Sequence, residues 1–144
     1  MKNITSYAEL EKMIQQQAKQ LCEHAANEVY ETINFFINQY YSEWTPAIYQ
    51  RTYDFLHSAF KTNVIQNGKS FVAEVGIDYE SLNDYQNATG LEIVTWANSE
   101  LHGGLNVGTH TRVWDDTIES AITSGQLLKD CIDFLKNKGF TVIT

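Results

Sequence analysis

The chain has 144 residues, a net charge of −8, 43% hydrophobic and 12% aromatic residues. That length fits one domain able to bury a core without disulfide or metal staples. The negative charge argues against unspecific binding to nucleic acid or an anionic membrane. Cys22 and Cys131 lie far apart beside apolar residues, the usual setting of reduced, buried thiols. No basic end followed by an apolar core stands near Met1, and no run approaches the about 18 apolar residues of a membrane span. The expectation is a protein made and used in a reducing cytoplasm.

Ser6-Tyr7-Ala8-Glu9 reads as a capping box, with the Ser6 hydroxyl taking an N–H of the first turn and Glu9 returning to the Ser6 N–H. Leu10, Ile14, Leu21, Ala25, Val29, Ile33, Phe36 and Tyr40 follow at helical steps, predicting one helix over 6–41. At about 1.5 Å per residue it is a rod of roughly 50 Å, longer than a domain of this size covers, so part of its stripe is left for a neighbouring chain.

The stretch Tyr40–Phe60 holds seven aromatic residues and the only proline, Pro46. Proline restrains its own φ and that of Thr45, so the helix must end before it and the chain must turn. Ile48, Tyr49, Tyr53, Leu56 and Phe60 recur at helical spacing, predicting an aromatic corner and helix over 42–60 packed under the first helix. Arg51 lies among the rings, where its guanidinium can stack or reach Glu43 or Asp54. Such a cluster serves as a satellite core, and Tyr, Trp and Arg are also what interface anchors are made of.

Residues 61–77 read as a hairpin, with Asn67-Gly68 as a type I′ turn and Phe71, Ala73, Val75 and Ile77 alternating onto one face. From Asp78 to Thr89 no apolar period exists, which is the composition of a surface loop over 78–90. No Lys or Arg occurs between Lys69 and Arg112, whereas Glu74, Asp78, Glu80, Asp84, Glu92 and Glu100 do. This acidic segment is a solvated face or a surface for a basic partner.

Short helices are expected over 91–138. Over Leu91–Leu101 the residues Ile93, Val94, Thr95 and Trp96 favour a strand, whereas Thr89 with Glu92 offers a cap and Gly103-Gly104 a stop, and the reading leans to a helix; another starts near Val113 with Asp115 and Asp116 in its first turn, and the last is broken from it at Ser124-Gly125 and ends at Gly139. Residues 140–144 read as a terminal strand. The resulting fold class is α+β: a long N-terminal helix packed on a small antiparallel sheet, with short C-terminal helices and a final edge strand.

Signals for chemistry are sparse. His102-Gly103-Gly104 has the composition of the oxyanion loop of some esterases, but no G-x-S-x-G nucleophile elbow accompanies it. His24, His57, His102 and His110 lack metal-ligand spacing; His102, His110 and Asp115 meet only if the tertiary fold brings them together. Neither cysteine has a neighbouring base in sequence, and no phosphate loop or dinucleotide fingerprint is present. The reading therefore expects no enzyme, no cofactor, and no catalytic or metal site.

Tyr41-x-x-Trp44-x-Pro46-x-x-Tyr49-x-Arg51-Thr52 resembles the Tyr-x-x-Tyr-x-Pro-x-x-Tyr-x-Arg-Thr/Arg segment of small tail-completion, or head–tail joining, proteins of long-tailed bacteriophages, with Trp44 in place of the usual Tyr. Trp96-Ala97-Asn98 running into His102-Gly103-Gly104, and Leu135-Lys136-x-x-Gly139-Phe140 before a last strand, are similar to further segments of that family. The resemblance spans nearly the whole chain in order and length. It implies a virion protein of the neck, assembled in the bacterial host cytoplasm as a homo-oligomeric ring that joins head-connector and tail-tube proteins, without membrane or specific nucleic-acid binding. The interaction residues expected on this reading are Tyr41, Trp44, Tyr49, Arg51, Asp78, Glu80 and Asp84. The competing class is a small acidic phage inhibitor that mimics DNA and occupies the groove of a host defence nuclease.

Overall fold

The computed structural model describes residues 4–43, 45, 53–82, 88–99, 101–102, 105–106 and 110–143. Helix α1 runs from Tyr7 to Glu43, 37 residues, or about 55 Å of rod. Its start departs from a simple capping box. The Ser6 hydroxyl accepts the Glu9 N–H at 3.2 Å as expected, but the Glu9 carboxylate takes the N–H and hydroxyl of Thr5, at 2.8 and 2.9 Å, rather than the Ser6 N–H. These bonds, the Thr5 N–H foremost, hold the Glu9 carboxyl below the usual carboxylate range.

The buried residues of α1 are Ala26, Ile33, Ile37 and Tyr40, all in its C-terminal half. Ile37, not Phe36, points to the centre, where Phe55, Leu82, Ala97 and Val113 complete the core with Ile33 and Tyr40. The predicted stripe holds at Ile33 and Tyr40, Phe36 packs half-buried beside it, and Ile37 joins it from the neighbouring position.

The helix expected to reach Phe60 is not formed there. Tyr53 has φ 63°, the only non-glycine in the left-handed region among the described residues, and only a 3-10 turn, Phe55–His57, follows. Phe60 lies in a strand. Tyr53, Leu56 and Phe60 therefore lie across a bend and not along a helix, while Ile48 and Tyr49 of that expected helix lie outside the described residues.

Four short strands make one long antiparallel hairpin. β1 (Ala59–Lys61) pairs with β4 (Val75–Ile77), and β2 (Ile65–Asn67) with β3 (Ser70–Val72). Between the ladders, Thr62, Asn63 and Val64 face only Ala73 and Glu74, an extra residue of the kind that bends and twists a ribbon. Asn67 pairs with Ser70, so the turn is Gly68-Lys69 and not Asn67-Gly68. Gly68 has φ +62° and Lys69 does not follow it into that region, the pattern of a type II′ turn, which asks for glycine first. Phe71, Ala73, Val75 and Ile77 alternate inward as predicted. Lys61 fastens the ribbon to α1, donating to the Asn27 side chain and lying 5.6 Å from the Tyr30 ring centre.

Helix α2 (Gly90–Ala97) starts on the expected box: Thr89 Oγ1 accepts the Glu92 N–H, and Glu92 accepts the Thr89 N–H. It ends at Ala97, ahead of the glycines expected to stop it, and Leu101–His102 (β5) pairs with Leu105–Asn106 (β6). Helix α3 (Val113–Ile118) continues as a π-helical turn, Glu119–Thr123, before Gly125 at φ +78° redirects the chain. Helix α4 (Gln126–Asn137) packs antiparallel to α1, since Phe134 stacks on His24 at 4.7 Å while Cys131 lies near Glu28. Burial pushes the Cys131 thiol up, and both cysteines are free.

Gly139, at φ +89°, ends α4 as predicted. Its N–H bonds Lys136 O at 2.9 Å, and Phe140 N–H bonds Leu135 O at 3.1 Å, the paired bonds of a Schellman stop. Where a strand was expected over 140–144, residues 140–143 join no ladder among the described residues, and Ile143 is 93% exposed. The architecture is α+β, a long helix carrying a small antiparallel sheet and short C-terminal helices.

Candidate assembly surface

The N-terminal end of α1 keeps its apolar stripe in water. Tyr7 is 80%, Ile14 53% and Leu10 36% exposed, and with Glu11, Gln15 and Lys69 they line a groove of about 260 Å³. Lys69, at the hairpin turn, approaches Glu11 at 3.7 Å and closes one side of it. The outer face of the ribbon carries a second exposed apolar pair, Ile65 and Val72, which are cross-strand partners and 62% and 41% exposed. Exposed apolar clusters of this kind are candidate contact sites.

The aromatic corner is real where it is described. Tyr41 stacks on Tyr53 at 5.8 Å and on Phe55 at 6.2 Å, and Tyr40 meets Phe55 edge-on at 5.8 Å. Trp44, Tyr49 and Arg51 lie outside the described residues, as does Pro46. Glu43, one of the two carboxylates expected to receive Arg51, is engaged by Thr111, whose N–H it accepts at 2.8 Å and whose hydroxyl it also accepts. Burial alone raises its pKa, but the Thr111 and Gln39 donors and the nearby His110 outweigh it and hold the carboxyl below its ordinary range.

In the acidic segment, Asp78 and Glu80 are exposed, while Asp84 lies outside the described residues. Asp78 is more than a surface charge: its Oδ1 accepts the Ser81 N–H at 3.2 Å and so shapes the turn. The expectation of a surface loop over 78–90 does not hold at Leu82 and Ala88. Leu82 and Ala88 are 7% and 5% exposed, and Leu82 belongs to the core. One inward residue produces no period, which is why the sequence pattern hid it.

Asn98 is the residue that sequence reasoning undervalued. Its Oδ1 accepts the N–H groups of Trp114 and Asp115, at 2.9 and 2.8 Å, and its Nδ2 donates to Asp115 at 3.0 Å. It thus caps α3 from the end of α2, where the local cap residue Arg112 makes no such bond. Arg112 instead pairs with Asp115 and Asp116, each at 3.3 Å.

Among the described residues no group of three His, Cys, Asp or Glu side chains is placed to hold a metal ion, and no helix is long and apolar enough to cross a membrane. His24 is stacked on Phe134, and His110 Nδ1 lies 2.6 Å from Thr111 O. No curated protein and no solved structure matches the chain. The YomN family profile matches residues 6–137, nearly the whole chain from the α1 cap to the end of α4, and the protein belongs to this family of SPBeta-like phage proteins.

Proposed function

We propose that this phage protein is a structural component of the virion neck, assembling as a ring between head connector and tail tube. The observation that carries the reading is the uncovered apolar face of α1. A rod of 37 residues is built, yet its buried positions begin only at Ala26, and Tyr7, Leu10 and Ile14 remain in water. Before Ala26 the helix fully buries no residue in the monomer, whereas a subunit gains a contact face. The acidic segment supplies the second feature, a surface suited to a basic rim on the connector. The interaction residues of this reading are Tyr41, Trp44, Tyr49, Arg51, Asp78, Glu80 and Asp84, with the α1 stripe added to them.

The test is capture of the tagged protein from infected cells followed by identification of what comes with it. Connector and tail-tube proteins are the expected companions. Capture of a host nuclease with no virion component would replace this reading by that of an acidic inhibitor.

A further inference from the structure

Phe140-Thr141-Val142-Ile143 is aromatic and β-branched, the composition that fits a pleated strand. The two Schellman bonds fix where it leaves α4, yet among the described residues it has no strand partner, and Ile143 is almost wholly exposed. The hairpin has the complementary property. It is two-stranded, so each arm presents an edge that no other described strand covers.

The phase of the ladder says which groups that edge offers. Thr62 N–H bonds Glu74 O and Asp78 N–H bonds Ser58 O, both at 2.8 Å, while Ser70 and Val72 flank the turn opposite Asn67 and Ile65. In an antiparallel ladder alternate residues turn outward, so the N–H groups of Phe71, Val75 and Ile77 face away from the partner arm.

Charge points the same way. Glu74, Asp78 and Glu80 stand exposed along and just after this arm, and no Lys or Arg occurs between Lys69 and Arg112. The unpaired segment is preceded by exposed Lys136 and Lys138. We propose that residues 140–143 of one copy add as a third strand to the Ser70–Ile77 edge of a second copy, with Lys136 and Lys138 set against the acids of that arm. Main-chain bonds supply the affinity of such an addition and flanking charges its direction. Donor and acceptor are different surfaces, so the contact repeats head to tail and closes a ring when the rotation allows. The ring of the neck reading gives this contact its setting, but the pairing itself is tested without reference to the virion.

The probe is a peptide of residues 136–144, which carries both lysines, added to the intact protein held at low micromolar concentration, with amide exchange read residue by residue. At about 1 mM peptide, the weak end of measurable affinity, exchange at Phe71, Val75 and Ile77 should slow about tenfold. A peptide carrying Val142→Pro should not protect them, because it lacks a donor and cannot continue a ladder. Glu74→Lys in the protein, or raised salt, should weaken the effect severalfold. No slowing at those three amides, equal protection by the proline peptide, or protection confined to 7–14 of α1 would each overturn the proposal. Peptide binding together with normal virions from a deletion phage would leave the edge pairing standing and remove the neck reading. Unjoined heads and tails without peptide binding would do the reverse.

Discussion

The carboxylate of Glu43, the last residue of α1, receives both the N–H and the hydroxyl of Thr111, a residue from the far side of the hairpin and α2. Thr111 is buried, so turning one carboxylate oxygen into an amide NH2 would strand one of its two donors. Glu43→Gln should destabilise the fold by about 1–2 kcal/mol, and Thr111→Val by about 1 kcal/mol, measured by denaturant unfolding.

The same contact sets a pH dependence. The Glu43 carboxyl titrates below its ordinary range in the fold, so its contribution is complete above the unfolded glutamate pKa of about 4.3 and is lost as pH falls through the lower folded value. Acid unfolding of Glu43→Gln should show a shallower decline of stability below that pH than the natural protein shows. Parallel declines would mean that Glu43 contributes nothing to the acid limb.

Asn98 joins α2 to α3 with one side chain. Asn98→Ala removes the acceptor of two helix-start N–H groups and should lower stability by about 1–2 kcal/mol. Asn98→Asp keeps the acceptor but places a second carboxylate against Asp115, so its loss should be smaller and should shrink further in high salt.

Gly90 begins α2 in close contact with the Tyr79–Leu82 turn. A Cβ at this position would lie 1.9 Å from Tyr79 O and 3.0 Å from Leu82 Cβ. Gly90→Ala therefore forces backbone apart and should destabilise by about 3 kcal/mol, visible as a lowered midpoint of unfolding.

Much of the helical content could be read from the chain because its signals are local. Thr89 with Glu92 and the glycine at 139 lie within a few residues of the bonds they make. The hairpin was legible in existence and slipped by one residue at its turn, since Asn67-Gly68 and Gly68-Lys69 both satisfy tight-turn chemistry and only the ladder chooses. What was not legible is what arises between distant residues: Thr111 on Glu43, Asn98 on α3, and Leu82 in the core. Each is a single polar or apolar side chain without a repeat to announce it. Tyr53 is a different failure, because a non-glycine at φ 63° has no composition cue and its spacing imitated a helix. In the candidate surface, the overlong stripe of α1 was expected from its length, but its location at Tyr7, Leu10 and Ile14 required knowing which half the other elements cover.

Ile14 lies in the uncovered stripe, so Ile14→Glu should alter monomer stability by no more than about 0.5 kcal/mol. It should nevertheless abolish complementation of a phage lacking this gene, scored as plaque yield. Full complementation would remove the stripe from the contact surface.

The role proposed for this protein is to join heads to tails. Its most direct test is electron microscopy of lysates from a phage in which the gene is deleted. On this role, filled heads and finished tails lie separate in the field, and joined particles return when the protein is supplied. Complete virions at normal yield from the deletion phage would contradict it.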